Sequence, residues 1–318
     1  MPEAARPPFA DRLAAAVEQR SSQLVLGLDP DPAALWPAAV AAAEVDSEAQ
    51  PGPPEGPGVA ARTAGAVACH CAAAIAAVGE RCVAVKLQLA CFERFGSAGW
   101  RALEATIAEA RAAGLLVIAD GKRGDVPVTA RAYGQALVGE TPGPFGSVPG
   151  LGADAFTANP LLGRDALEPL TKAAVAAGAG CFVLVRTSNT GAADVQDLPG
   201  AQGLVHEALA RLVDELGAED VGESGLSAIG AVAGATRPEL LERLRGLMPR
   251  AIFLLPGVGA QGGTVEDLGA AFAPHPAAGL VTASRSIVDA YTERGGDPAA
   301  AAAAAAEELR AAAWSLQL

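Results

Sequence analysis

The segment Val117–Ala130, VIADGKRGDVPVTA, changes within a few residues from an apolar run to a cluster of opposite charges. Its first part is short, continuously apolar and rich in β-branched residues, which is typical of a strand buried on both faces of a parallel sheet. Its second part places Lys122 between the carboxylates of Asp120 and Asp125. The segment therefore predicts a buried strand whose carboxyl end carries polar chemistry.

Runs of the same kind recur along the chain, separated by alanine-rich segments with apolar residues at helical spacing. Eight of them read as strands, and they are Gln23–Leu28, Cys82–Leu87, Leu115–Asp120, Asp154–Asn159, Cys181–Arg186, Ser227–Gly234, Ala251–Pro256 and Gly279–Ser284. Eight strands that alternate with helices predict an α/β fold, a (β/α)8 TIM barrel, with an extra N-terminal helix over Phe9–Gln19. A doubly wound open sheet is the alternative architecture.

The chain length of 318 residues fits one barrel domain over residues 1–318. The segment Asp46–Gly58 is acidic and rich in proline and glycine. We expect it to be a flexible surface insertion within the first βα unit, and not a boundary between domains.

The formal net charge of −13 argues against nucleic acid and anionic membrane as partners, since both would be repelled. The N-terminus is too acidic for a secretory signal, and glycines interrupt the longer uncharged stretches. The five cysteines show no paired spacing, which favours reduced thiols. We therefore expect a soluble cytoplasmic protein that binds any phosphate through a local site.

Polar residues lie at or just after the carboxyl ends of the predicted strands. Active sites of barrels are built at this end. These residues are Asp29, Lys86, Asp120, Lys122, Asn159, Ser188, Asn189, Gln261 and Arg285. A single residue of this kind is more often a solvated loop residue than a functional one, but their number favours a site.

Lys122 and Asp120 are two positions apart, so their side chains point the same way from an extended strand. The chain holds three lysines against twenty arginines, and an ammonium can give up a proton where a guanidinium cannot. A flanking carboxylate keeps a lysine protonated, so Lys122 is predicted to stabilise a developing carbanion and then protonate it. The alternative is a surface ion pair worth at most about 1 kcal/mol.

The glycine-rich loop Pro256–Gly263, PGVGAQGG, can present backbone N–H groups to an anion. With Arg285 it fits the phosphate site that barrels build from the loops after strands seven and eight. The loop also matches GxGxxG, but no acidic residue follows at the distance that a dinucleotide site requires. Metal binding has little support, because the three histidines are scattered and none lies at a strand end beside a carboxylate.

Six motifs occur in the order in which the orotidine 5′-phosphate decarboxylase family carries them, and the sequence closely resembles that family, in particular its longer bacterial branch. The motifs are LGLDP, the strand-end lysine in VAVKLQLACFERFG, DGKRGD, TSNTG, PGVGAQGG and SRSI. They span Leu26–Ile287, which is nearly the whole predicted barrel.

The resemblance implies decarboxylation of orotidine 5′-monophosphate to uridine 5′-monophosphate in pyrimidine synthesis, without metal or organic cofactor. Lys122 would protonate C6 of the pyrimidine, with Asp120 beside the substrate carboxylate. Asp125 and Thr129 would come from the partner subunit of a homodimer with shared active sites. The other implied contacts are those of Asp29 and Lys86 with the ribose, Ser188 with the pyrimidine, Gln261 and Arg285 with the 5′-phosphate, and Asn159 with the pocket.

Three other functions stay open on the residues alone. A Mg²⁺-dependent sugar-phosphate decarboxylase or aldolase of the same barrel group resembles this family in its DxKxxD pattern, and it predicts loss of activity on chelation. A non-catalytic phosphate-binding barrel would need Gln261 and Arg285 but not the lysine and aspartate array. A nicotinamide dehydrogenase rests on GxGxxG alone.

Overall fold

Eight parallel strands close into a barrel in a computed structural model that describes residues 6–49, 58–201, 203–259 and 262–316. The strands are β1 (Leu24–Leu28), β2 (Ala84–Gln88), β3 (Leu116–Arg123), β4 (Ala155–Ala158), β5 (Gly180–Arg186), β6 (Ser227–Ala233), β7 (Ala251–Pro256) and β8 (Gly279–Ala283). Around the barrel these strands follow the order β1-β8-β7-β6-β5-β4-β3-β2. Each predicted run overlaps one of them, so the predicted (β/α)8 barrel is confirmed.

Helices connect the strands and surround the barrel. They are α1 (Phe9–Arg20), α2 (Pro37–Ala49), α3 (Val59–Val78), α4 (Ala90–Glu93), α5 (Ser97–Ala112), α6 (Pro127–Leu137), α7 (Arg164–Ala176), α8 (Ala193–Gln196), α9 (Val205–Leu216), α10 (Leu241–Leu247), α11 (Arg285–Val288), α12 (Tyr291–Arg294) and α13 (Pro298–Trp314). Short 3₁₀ turns lie at Gly79–Arg81, Thr190–Ala192, Pro238–Leu240, Glu266–Phe272 and Pro276–Ala278. Antiparallel hairpins pair Glu140–Gly143 with Gly146–Pro149 and Pro199–Gly200 with Gly203–Leu204. The predicted helix before the first strand is confirmed as α1.

The predicted insertion Asp46–Gly58 begins in the last turn of α2, which ends at Ala49, and it leads into α3, which begins at Val59. Residues 50–57 lie outside the described residues. One barrel domain with a flexible insertion at this point stays a prediction.

The core has an outer part, between the barrel and its helices, and an inner part inside the barrel. Leu24 and Leu26 of β1 belong to the outer part and Val25 to the inner part, as the alternation of a strand requires. Helix α1 joins the inner part, where the rings of Phe9 and Phe182 meet edge to face with centroids 5.9 Å apart. Because Phe9 also packs on Gly180, the first residue of β5, α1 closes the amino end of the barrel and leaves the carboxyl end open.

One helical segment, Val59–Arg81, is long and apolar enough to cross a membrane by length and composition. It consists of α3 and the turn that follows it. Val67, Cys71 and Ile75 on its buried face belong to the outer core of the barrel. The segment thus meets the criterion of length and composition although it is a helix that packs on the barrel.

Phe9→Ala is expected to lower the free energy of unfolding by about 3 to 4 kcal/mol, because it leaves a cavity beneath the barrel interior. Urea unfolding measures the change. Phe145→Ala is the matched control, since Phe145 is fully exposed and its loss should cost less than about 0.5 kcal/mol. Equal losses in the two variants would contradict the role assigned to α1.

Candidate active site

A cavity of about 740 Å³ opens at the carboxyl ends of the barrel strands. Its volume is typical of sites for small molecules. The predicted residues that line it are Asp29, Lys86, Asp120, Lys122, Asn159, Ser188, Asn189 and Arg285. The structure thus brings residues from six strands or strand ends to one place.

Four charged side chains of alternating sign form an array on one side of this cavity. The ammonium of Lys86 lies 2.7 Å from Asp120 Oδ2 and 3.5 Å from Asp29 Oδ1. The ammonium of Lys122 lies 2.7 Å from the other Asp120 oxygen, Oδ1. The parallel pairing of β1, β2 and β3 sets these distances, with Gly27 beside Lys86 in the register. Asp120 is therefore shared by two cations.

Burial is the largest single influence on both Asp120 and Lys86, and it disfavours their charged forms. Burial alone would raise the pKa of Asp120, but the charges of Lys86 and Lys122 bring it well below its usual range. Burial alone would lower the pKa of Lys86, but Asp120 and Asp29 outweigh it and the pKa is raised. The buried centre of the array is therefore ionised at neutral pH.

Lys122 has a left-handed backbone, with φ at 47°, which is uncommon for residues other than glycine. It lies where the pairing of β3 with β4 is interrupted, between Ala119 and Arg123. Its backbone N–H donates to Thr157 Oγ1 at 2.8 Å, and the Thr157 hydroxyl donates to Asp120 Oδ1 at 2.8 Å. Asp120 and Lys122 thus meet as predicted, but through a left-handed residue and not through extended alternation.

Several polar residues of the cavity are absent from the predicted set. They are Gln88, Thr157, Thr187, Gln196, Thr282, Ser284 and Ser286. Gln88 and Thr157 lie two positions from the predicted Lys86 and Asn159, and the alternation of a strand puts such pairs on one face. That spacing is the signal that finds them. Gln196 gives no such signal, because it lies at the end of the short helix α8 and not on a strand.

Asp125 and Thr129 do not line the described part of the cavity in their own chain. Asp125 accepts a hydrogen bond from the Val126 backbone N–H at 2.7 Å, and Thr129 is exposed on α6. Gln261 lies outside the described residues, so its predicted phosphate contact stays a prediction. Arg285 lines the cavity at the beginning of α11.

The three histidines have partners in the fold. His70 Nδ1 accepts from the Trp36 backbone N–H at 3.1 Å, and burial lowers the pKa of His70 to about 4. His275 Nδ1 accepts from the Ala277 backbone N–H at 3.0 Å, and His206 contacts Asp197. Across the part of the chain that the structure describes, no group of three or more His, Cys, Asp and Glu side chains is placed to hold a metal ion.

A closed (β/α)8 barrel with an ionised lysine and aspartate array in a cavity of this size defines a barrel enzyme for a small substrate. The family model described as orotidine 5′-phosphate decarboxylase / HUMPS family matches residues 22–305. The chain belongs to this family. The resemblance predicted from the six ordered motifs is confirmed.

Similar proteins of known name cover most of the chain. The orotidine 5′-phosphate decarboxylase of Rhodopirellula baltica is 41% identical over 245 residues, which cover 76% of this chain and 79% of that protein. The protein of the same name from Haloarcula marismortui is 40% identical over 294 residues, 90% of each chain. The structure of Leishmania donovani OMP decarboxylase is similar to this fold, with a TM-score of 0.67 at 30% identity, covering 96% of this chain and 99% of that chain.

Asp120→Asn is expected to make the free energy of unfolding depend less steeply on pH in the acid range, because it removes a carboxylate whose pKa is lowered in the folded protein. In the wild type this group stabilises the fold above the unfolded pKa of about 3.9, and the stabilisation is lost as the pH falls through the folded pKa. Between about pH 5 and pH 3, the free energy of unfolding should fall more steeply for wild type than for Asp120→Asn.

Urea unfolding at each pH measures these slopes. Asp194→Asn removes an exposed carboxylate outside the array and should keep the wild-type slope. Parallel curves for wild type and Asp120→Asn would contradict the stabilisation assigned to Asp120.

Proposed function

We propose that this protein decarboxylates orotidine 5′-monophosphate to uridine 5′-monophosphate, a step of pyrimidine nucleotide synthesis, at the array of Asp29, Lys86, Asp120 and Lys122. The observation that carries the proposal is the Lys122 ammonium, which lines the cavity and is held 2.7 Å from the Asp120 carboxylate. Family membership and the names of the relatives support the same reaction.

The difficulty of this reaction is the electron pair that decarboxylation leaves on the ring. The bond between C6 and the carboxylate breaks, CO2 departs, and the pair stays on C6 in the plane of the ring, where the π system does not delocalise it. The enzyme must lower the barrier by roughly 20 kcal/mol, near the upper end of enzymatic catalysis. The preorganised Lys122 ammonium stabilises the pair and then donates a proton to C6, after which the amine regains a proton from water.

Asp120 fixes the position of the Lys122 ammonium, which is the proton donor in the proposed reaction. Its Oδ1 accepts from Lys122 and from the Thr157 hydroxyl, and its Oδ2 accepts from Lys86 and, at 3.4 Å, from the Gln88 side-chain amide. A carboxylate held by four donors cannot rotate away, so the Lys122 ammonium is placed before the substrate arrives. In the proposed complex Asp120 lies beside the substrate carboxylate.

The remaining cavity residues bind the nucleotide. Asp29 and Lys86 hold the ribose hydroxyls, and Ser284 orients Asp29 by donating to its Oδ2 at 2.8 Å. Ser188 and Asn159 lie at the pyrimidine end. Arg285, together with Gln261, binds the 5′-phosphate. Binding energy from that remote phosphate is then available to close loops over the ring and exclude water.

We further propose a homodimer in which each site borrows Asp125 and Thr129 from the partner. Val126 and Val128, next to these residues, are 53% and 83% exposed. Exposed apolar side chains beside polar groups are typical of an interface. The Lys122 side chain is 41% exposed, which leaves room for a second carboxylate beside the ammonium.

The proposal places the enzyme in the cytoplasm, acting on a free nucleotide without nucleic acid or membrane as a partner, since a net charge of −13 repels both. The Mg²⁺-dependent sugar-phosphate reaction is the alternative, and the family description also includes HUMPS. The named relatives favour the decarboxylase.

Wild-type protein is expected to consume orotidine 5′-monophosphate in excess chelator, followed by ultraviolet absorbance. Lys122→Ala should lose at least about a thousandfold in kcat, because it removes both the charge and the proton donor. Lys172→Ala is the matched control, since Lys172 pairs with Glu168 on the surface, with its side chain 75% exposed. Activity that disappears with chelator in the wild type would favour the Mg²⁺-dependent alternative.

Mixing Lys122→Ala with Asp125→Ala is expected to restore activity that neither variant has alone. A mixed dimer carries one site with both residues intact if Asp125 acts in the partner's site, so random exchange should recover about a quarter of wild-type activity. The readout is the same absorbance assay after subunit exchange. No recovery, with mixed dimers present by native mass spectrometry, would rule out the shared site.

A further inference from the structure

The loop after β5, residues 187–197, lines one side of the cavity at both of its ends. Ser188 and Asn189 line the cavity at its beginning, and Val195 and Gln196 line it at its end. In the closed barrel of eight, β5 lies opposite β1, which Asp29 directly follows. The loop therefore faces the charged array from across the cavity.

An arginine at the end of β5 joins the two ends of this loop. Arg186 is 5% exposed, and its Nε and Nη2 donate to Asp197 Oδ1 and Oδ2 at 2.9 and 3.0 Å. Its Nη1 donates to the carbonyl of Thr187 at 2.6 Å. A bidentate, charge-assisted pair of this kind gives directional as well as energetic restraint.

A neutral pair beside the ion pair joins the same two ends. Gln196 Oε1 accepts from the Thr187 backbone N–H at 2.8 Å, and Gln196 Nε2 donates to Thr187 Oγ1 at 3.1 Å. The Thr187 hydroxyl in turn donates to Asn189 Oδ1 at 2.7 Å. The adjacent residues Gln196 and Asp197 thus restrain two successive residues, Thr187 at the beginning of the loop and Arg186 at the end of β5.

His206, in the first turn of α9, links the joined ends of the loop to this helix. Its Nδ1 lies 2.9 Å from the Gln196 carbonyl and 3.1 Å from Asp197 Oδ1, and its side chain is 2% exposed. Both neighbours are acceptors, so Nδ1 carries the proton and donates. The hydrogen bond from Arg186 is the largest cause of the lowered pKa of Asp197.

On its other side the loop rests on the end of β6. A Cβ on Gly234 would lie 2.8 Å from the backbone nitrogen of Ser188, so only glycine permits this approach. The Thr236 hydroxyl donates to the Ser188 carbonyl at 3.3 Å. Ser188 is therefore held between the closed loop and β6.

We propose that Arg186, Asp197 and His206 form a clasp that positions loop 187–197 for recognition of the pyrimidine. Among the described residues, none of these three lines the cavity, so they act through Ser188 and the other loop residues that do. Asp197 is the positioning residue of the clasp, since it bonds both of the others. The choice of a pyrimidine nucleotide as ligand rests on the proposed function.

The variant Asp197→Asn tests whether the clasp affects binding of the base and not binding of the phosphate. By calorimetry, affinity for uridine 5′-monophosphate should fall about tenfold or more, the effect of losing a charge-assisted pair. Affinity for ribose 5-phosphate, which lacks the base, should stay within about twofold. Arg186→Lys keeps the charge but not the bidentate bond, so it should give an intermediate loss.

Asp194→Asn is the matched control, because it makes the same change of charge in the same loop at an exposed residue away from Arg186. It should bind both ligands like the wild type. Equal affinity of Asp197→Asn and wild type for uridine 5′-monophosphate, or an equal loss for both ligands, would overturn the clasp.

Hydrogen exchange of the unliganded protein tests the clasp without any ligand. Asp197→Asn should speed exchange of amides in residues 187–197 by about tenfold or more and leave the barrel strands unchanged, while Asp194→Asn should do neither. Unchanged exchange in the loop would overturn the clasp. A wild-type protein that does not bind uridine 5′-monophosphate would instead overturn the proposed function, and the exchange result would still decide the clasp.

Discussion

The buried carboxylate of Asp120 is the constraint on which the site depends. A lone carboxylate at this depth would take up a proton, and a lone Lys86 would lose one. Each stays charged because the other is 2.7 Å away. The register of β2 against β3 therefore does two things at once, since it closes the barrel and keeps its active centre ionised.

The two ends of the barrel have different roles, since the amino end contributes to stability and the carboxyl end holds the polar cavity. At the amino end, α1 covers the inner core with apolar side chains such as Phe9 and Leu13. At the carboxyl end, polar side chains replace them and the cavity opens. Loops at this end can differ in length and motion without disturbing the core, because the strands beneath them are already packed.

The sequence predicts what local pattern determines. Continuous apolar runs are enough to locate all eight barrel strands, and the polar residues at their carboxyl ends identify eight residues that line the cavity. Thr157 lies inside an apolar run and not at its end, so only its spacing of two positions from Asn159 indicates that it lines the cavity. Arg186 closes a predicted strand, but the sequence does not show that its side chain pairs with Asp197, eleven residues further along. Asp197 itself lies at the end of a loop that has no periodicity. In the proposed dimer the position of Asp125 depends on a second chain, and the pattern of one chain does not contain it.

At Lys122, the left-handed backbone brings the thermal stability of the protein into conflict with its catalytic activity. Glycine would adopt φ near 47° with less strain, whereas a residue with a Cβ is held there at a cost of about 1 to 2 kcal/mol. The substitution that would relax this turn is thus the one that removes the proposed proton donor. Directed evolution for heat resistance alone would be drawn toward an inert barrel at this position, so a screen on this scaffold must select for turnover as well.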